Sequence, residues 1–171
     1  QNKLKRHWRR QSDKKHYLAL SGGRNVLPHR HNKILALLKS EERESLQIER
    51  VPLLKTQVNI EASNRPVRYA YFPEDCMISV VSRAGPHRIE AAIVGNEGMT
   101  GVSILMADGR SPHDVYVQVP GSAFRADAER VRRLSQDSES ARNLMLRYAH
   151  VLSAQVAQTA LANGRAAIAT R

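Results

Sequence analysis

The sequence predicts a mainly β protein with helices: short N-terminal helices, an antiparallel β-roll and one long C-terminal helix. Three observations carry this. Between residues 51 and 125 turn clusters recur about every nine to twelve residues, at Asn64-Arg65-Pro66, Phe72-Pro73-Glu74, Gly85-Pro86, Gly95-Asn96-Glu97-Gly98, Asp108-Gly109 and Pro120-Gly121, the spacing of successive short strands. The segments between them alternate or run apolar. After Pro120-Gly121 the period lengthens, and a helical pattern runs without Pro or Gly from Ser138 to Asn163.

The chain opens on a basic stretch. Residues 1–31 hold nine Lys and Arg against Asp13 alone, a net +8, which leaves only +3 of the total +11 for the other 140 residues. Such an arm, with Trp8 and Tyr17 interleaved, is expected to be flexible and to touch nucleic-acid phosphate weakly and without sequence readout. Ser21-Gly22-Gly23 and Pro28 then set a boundary near residue 30.

From Asn32 the run Ile34, Leu35, Leu37, Leu38 predicts a short helix. Ser40 followed by Glu41 and Glu42 reads as the N-cap of a second, reaching about Ile48. Val58-Asn59-Ile60-Glu61-Ala62 and Val115-Tyr116-Val117-Gln118-Val119 alternate as half-buried strands, while Met77-Ile78-Ser79-Val80-Val81 and Ala91-Ala92-Ile93-Val94 read as buried ones. Arg125 to Leu134 reads as a short helix, and Ser138 with Glu139 opens the long one.

At ~1.5 Å per residue the long helix is roughly 40 Å, more than a small roll needs as a cover. Met145, Ala149, Leu152, Val156 and Thr159 recur at steps of four and three, flanked by Leu144, Tyr148 and Val151. Apolar residues on more than one side require a second surface, and a two-fold homodimer is its commonest source. Met145, Tyr148, Ala149, Leu152, Val156 and Thr159 are therefore the expected dimer interface, with Ala149, Ala157 and Ala160 permitting close approach. The alternative is that the stripe packs on the roll.

The 171 residues suit one core plus an appendage. No apolar run approaches the roughly 18 to 20 residues of a membrane span, the basic opening lacks a secretory apolar region, and a cytoplasmic protein is expected. The single Cys76 supports neither a disulfide framework nor a cysteine-ligated cluster and reads as a buried small hydrophobe. His87 and His113 stand on different strands or turns and His29 and His31 in the basic arm, so no metal set and no enzyme is expected; a cupin-like metalloenzyme is the weakest reading. A haem ligated by Cys76 has only the thiol in its favour.

Four phrases add a resemblance. Arg68-Tyr69-Ala70-Tyr71-Phe72-Pro73, Ala92 through Gly101 (Ala-Ile-Val-Gly-Asn-Glu-Gly-Met-Thr-Gly), Val117-Gln118-Val119-Pro120-Gly121, and Leu146-Arg147-Tyr148 through Ala157-Gln158-Thr159-Ala160 resemble, in the same order, a subgroup of the cyclic-AMP receptor protein and Fnr (Crp/Fnr) family of bacterial transcription regulators. The resemblance covers about residues 32 to 171. It implies a jelly-roll-like antiparallel double-stranded β-helix over 32–137, a sensor domain of the cyclic-nucleotide-binding type, and a dimerisation helix over 138–171. It also implies a hinge at Asn163-Gly164-Arg165 leading to a winged helix-turn-helix that reads DNA, and the chain reaches Arg171 before any recognition helix.

In nucleotide-binding members the pocket cradles a phosphate on the amides of a Gly-Glu turn, with an Arg-Ser pair supplying charge. The resemblance carries that role tentatively to Gly95, Glu97, Gly98, Arg110 and Ser111, with His150 and Ser153 near a base, and makes a cyclic nucleotide or another small effector the expected ligand. Asn96 between Gly95 and Glu97, Pro112 after Ser111, and the thirteen-residue separation of Glu97 from Arg110 depart from the family's pattern. A ligand-free dimerisation or interaction module is the alternative.

Overall fold

The computed structural model describes residues 32–169 apart from 54, 55, 57, 85, 86, 107 and 108, with side chains omitted at 84 and 164–169. The basic arm lies outside the described residues. Two short helices, α1 (Lys33–Leu37) and α2 (Ser40–Leu46), precede β1 (Glu49–Leu53), β2 (Asn59–Glu61), β3 (Tyr69–Pro73), β4 (Met77–Ala84) and β5 (His87–Val94). A 3₁₀ turn at Val102–Leu105, β6 (Asp114–Val119), β7 (Gly121–Asp127), α3 (Ala128–Asp137) and α4 (Glu139–Ala169) follow among the described residues. All strand pairs are antiparallel and form two sheets, β1-β7-β3 and β2-β6-β4-β5. This is the expected roll with its long exit helix.

The N-terminal helices are pinned by buried polar groups. Asn32 caps α1, its Oδ1 accepting from Leu35 N–H at 3.1 Å, and its Nδ2 donates to the carbonyls of Pro73 (3.0 Å) and Gly98 (2.8 Å). The cap of α2 is Lys39 rather than Ser40, because Glu42 reaches back to accept the Lys39 N–H at 2.8 Å; the helix stops at Leu46 when Gln47 turns left-handed (φ 45°).

Glu42 also accepts from Ser138 Oγ and Ser140 Oγ, both at 2.6 Å, tying α2 to the start of α4. Those two hydroxyls hold its carboxyl down from 4.5 to about 2. A folded-state value below the unfolded one gives stability that is present above the unfolded value and lost as pH falls through the folded one. Glu42→Gln is therefore expected to cost about 1.5 kcal/mol at pH 7, with the gap to wild type closing between pH 4.5 and about 2, measurable by urea unfolding across that range.

Three further features differ from the sequence reading. Arg125, Ala126 and Asp127 belong to β7, which pairs on both sides with β1 and β3, so the helix read from Arg125 begins only at Ala128, capped by Asp127 Oδ1 on Glu129 N–H at 2.8 Å. Strict alternation in Val58–Ala62 would turn Glu61 to solvent, yet Glu61 is 8% exposed and Val58 42%. A register shift between Asn59 and Glu61 against β6 reverses the face. Finally, α4 runs unbroken through Asn163-Gly164-Arg165; a helical Gly costs only about 1 kcal/mol relative to Ala, and Ala162, Ala166 and Ala167 favour continuation.

Two apolar clusters form the core. The first joins α1, α2, β3, β7 and α3 to the beginning of α4, centred on Leu35, Phe72, Phe124 and Met145. The second lies within the roll around Ile78, Val94 and Val117, with Leu152 and Val156 of α4 packed against it. Thus α4, 31 residues and roughly 46 Å long, touches both clusters in succession. Met145 (1% exposed) and Ala149 (5%) are covered by their own chain, which corrects their reading as partner surface. Tyr148, Leu152, Val156 and Thr159 are half-buried.

Candidate functional site

Where α4 crosses the roll it closes one side of a cavity of about 130 Å³. Val80, Val94 and Val115 form its sheet wall, Met99 to Ser103 its floor beside the 3₁₀ turn, and Ala149, Leu152, Ser153 and Val156 its helical wall. Exposed Met106, Pro112 and Ser153 mark the mouth. The chain approaches itself closely here. A Cβ on Gly98 would stand 2.2 Å from Tyr148 Oη, so the turn and the helix meet only because residue 98 has no side chain. Gly101 sits at φ 74°, a left-handed conformation that favours Gly, with Ala70 Cα 3.2 Å from any added Cβ.

The polar group at the centre is Glu61. Its Oε1 accepts the Gly101 N–H at 2.7 Å, and the hydroxyls of Ser111 and Thr100 lie in hydrogen-bonding contact. Burial raises the carboxyl's pKa against the pull of these three neutral groups. Ser111 Oγ also reaches the His113 carbonyl at 2.8 Å, so its single proton is shared between two acceptors. His113 Nδ1 meets Ser82 Oγ at 3.0 Å, and burial lowers the imidazole's pKa, favouring the neutral ring. Ser103 Oγ is buried and has no hydrogen-bond partner.

Of the residues the resemblance singled out, Ser111 lies beside Glu61 and Ser153 lines the wall, its Oγ donating to the Ala149 carbonyl at 2.9 Å. The others stand outside the cavity walls. Glu97 closes its own turn by accepting the Gly95 N–H at 2.8 Å, Gly98 is packed under Tyr148, Arg110 is exposed with Nη1 on the Asn64 carbonyl at 3.0 Å, and His150 faces solvent. Glu61, Thr100 and Ser103 were not singled out; only the lone acid in an otherwise apolar alternation hinted at Glu61. Cys76 is buried, and desolvation raises its thiol to about 11, which keeps it protonated. Among the described residues no three His, Cys, Asp or Glu side chains converge as a metal site, and no helix is long and apolar enough to cross a membrane.

No protein-family model matches the chain, and no curated protein matches it in sequence. Solved structures do. A protein from Eubacterium rectale described as a transcriptional regulator of the Crp/Fnr family superimposes with a TM-score of 0.64 at 11% identity, over 74% of this chain and 60% of that one. The fold is the β-roll of that structure. A protein from Geobacter metallireducens described as cyclic nucleotide-binding gives 0.56 at 15% identity, covering 77% of this chain and 91% of that one. The sensor domain of the transcriptional regulator DNR from Pseudomonas aeruginosa gives 0.53 at 16% identity, over 68% and 88%. This chain thus spans 60% of the length of the Eubacterium regulator, and the match extends over 88% of a sensor domain alone. Identities of 11 to 16% place the roll and leave its ligand to be argued from the residues in the cavity.

Proposed function

We propose that this chain is the sensor and dimerisation domain of a bacterial Crp/Fnr-type DNA-binding transcription regulator, with the cavity between the roll and α4 taking a small effector. One observation carries the reading: the same α4 residues, Leu152 and Val156, both line the cavity and pack on the roll's core. A molecule entering the cavity must therefore touch the helix, and any shift of Leu152 or Val156 redirects the segment beyond them. DNA reading belongs to the whole regulator, through a helix-turn-helix following α4.

Pairing is supported by the outward side of α4. Val151, Ala154, Gln158 and Leu161 follow one another at steps of three, four and three, and Val151 and Leu161 are 63% and 58% exposed. With Met145 and Ala149 already used inside the chain, this side supplies the seam. Sedimentation equilibrium at micromolar concentration is expected to show a dimer, and Val151→Glu combined with Leu161→Glu to weaken it at least about tenfold by placing like charges in an apolar seam. A wild type that sediments as a monomer removes the pairing.

A further inference from the structure

Resting on the sensing role proposed above, we infer that the cavity selects a small, largely apolar, non-anionic molecule of about one ring, with a hydrogen-bond donor toward Glu61 and an acceptor toward Ser103, and that it rejects anions, cyclic nucleotides included.

Size is the first argument. The cavity of about 130 Å³ is comparable to the roughly 150 Å³ void that accommodates benzene in an engineered core, and lies below the roughly 300 Å³ at which pockets for drug-sized ligands begin. Its walls are methyl groups from Val80, Val94, Val115, Leu152 and Val156, which suit a hydrocarbon surface.

Charge is the second. A buried anion requires a cation beside it as well as amide donors, and none of the described residues lining the cavity is Lys or Arg. The amide that could have met a phosphate, Gly101 N–H, is already bonded to the Glu61 carboxyl. The chain has placed its own acid at that position. A second acid would meet a carboxyl group in a low-dielectric site, where like charges are not both tolerated.

The orphaned hydroxyl is the third. Ser103 is 9% exposed, lines the cavity, and leaves its Oγ unpartnered. Buried polar atoms are almost always satisfied, so the unpaired hydroxyl of a residue that lines the cavity is the group to which we assign an incoming polar atom. Glu61 accepts from the Gly101 N–H and from the Ser111 and Thr100 hydroxyls, and the roughly four lone-pair sites of a carboxylate leave room for one further donor. Together the two groups fix the orientation of a ligand bearing one hydroxyl or amine.

The test is isothermal titration of the full chain with five probes: phenol, benzylamine, toluene, benzoate and cyclic AMP. Phenol and benzylamine are expected to bind at least tenfold more tightly than benzoate, toluene more weakly than phenol, and cyclic AMP to give no heat. Ser103→Ala is expected to weaken phenol several-fold while raising the melting temperature of the free protein, since it removes an unsatisfied hydroxyl. Glu61→Gln is expected to weaken benzylamine and leave toluene unchanged. Benzoate or cyclic AMP binding as tightly as phenol overturns the inference but leaves the sensing role standing. Toluene equal to phenol, or silence from all five probes, also overturns it, whereas the sensing role is tested separately, by hydrogen exchange along α4 in Leu152→Ala.

Discussion

Gly98→Ala is expected to destabilise the protein by about 2–4 kcal/mol and to loosen α4 from the roll. The added Cβ would stand 2.2 Å from Tyr148 Oη and 2.4 Å from Cζ, well inside contact distance. The ring cannot retreat freely, because Met145 and Ala149 on the same helix are buried at 1% and 5% exposure. Relief requires either lifting α4 or rotating Tyr148 away from the Met99 N–H it accepts, whose loss adds about 1 kcal/mol to an overpacking cost of about 1–3. Urea unfolding measures the sum. A double-mutant cycle with Tyr148→Ala identifies the cause: once the ring is gone, Gly98→Ala should lose most of its cost, a coupling of at least about 1 kcal/mol.

Phe124→Ala is expected to cost about 3–5 kcal/mol, enough to leave a large fraction of a marginally stable domain unfolded. Phe124 is 1% exposed and stands opposite Phe72, itself 0% exposed, across the β3–β7 pair. The two rings hold α1, α3 and the first part of α4 against one sheet, so the loss opens a void bordered by several elements that cannot all close in. Phe124→Leu keeps most of the volume and should cost less than about 1.5 kcal/mol. Thermal and urea unfolding of the two variants distinguish a packing loss from a disrupted strand pairing, which would make them equal.

How far the sequence could be read follows from which forces are local. Turn residues act within a few positions, so the clusters at Asn64-Arg65-Pro66, Phe72-Pro73-Glu74, Gly95-Asn96-Glu97-Gly98 and Pro120-Gly121 fall at strand ends or between strands, and the apolar runs at Met77 and Ala91 became β4 and β5 of the larger sheet. The strand β7 escaped notice because Gly121-Ser122-Ala123-Phe124-Arg125-Ala126-Asp127 has weak β propensity. It is a strand because β1 and β3 pair with it on both sides. Glu61 was legible as an acid among apolar neighbours but not as an interior group, since its face depends on a bulge formed with β6, some fifty residues away along the chain. The stripe on α4 was read correctly as continuous, yet periodicity cannot say what covers it: Met145 and Ala149 found the roll instead of a partner. Glu97 and Arg110 stand outside the cavity walls because Glu97 closes its own turn on the Gly95 N–H and Arg110 Nη1 reaches the Asn64 carbonyl in the turn after β2. Ser103 carries no sequence signal at all; its unpaired hydroxyl exists only once the cavity does.

The proposed sensing role makes cavity and helix one device, joined at Leu152 and Val156. Hydrogen exchange along α4 in wild type and in Leu152→Ala tests it most directly, because Leu152 touches the cavity and the roll's core while the first part of α4 is held by a separate cluster. Faster exchange is expected from about residue 149 onward, with protection in β1, β7 and β3 unchanged. An equal rise in both sheets and throughout the helix, or no change beyond residue 149, would contradict it.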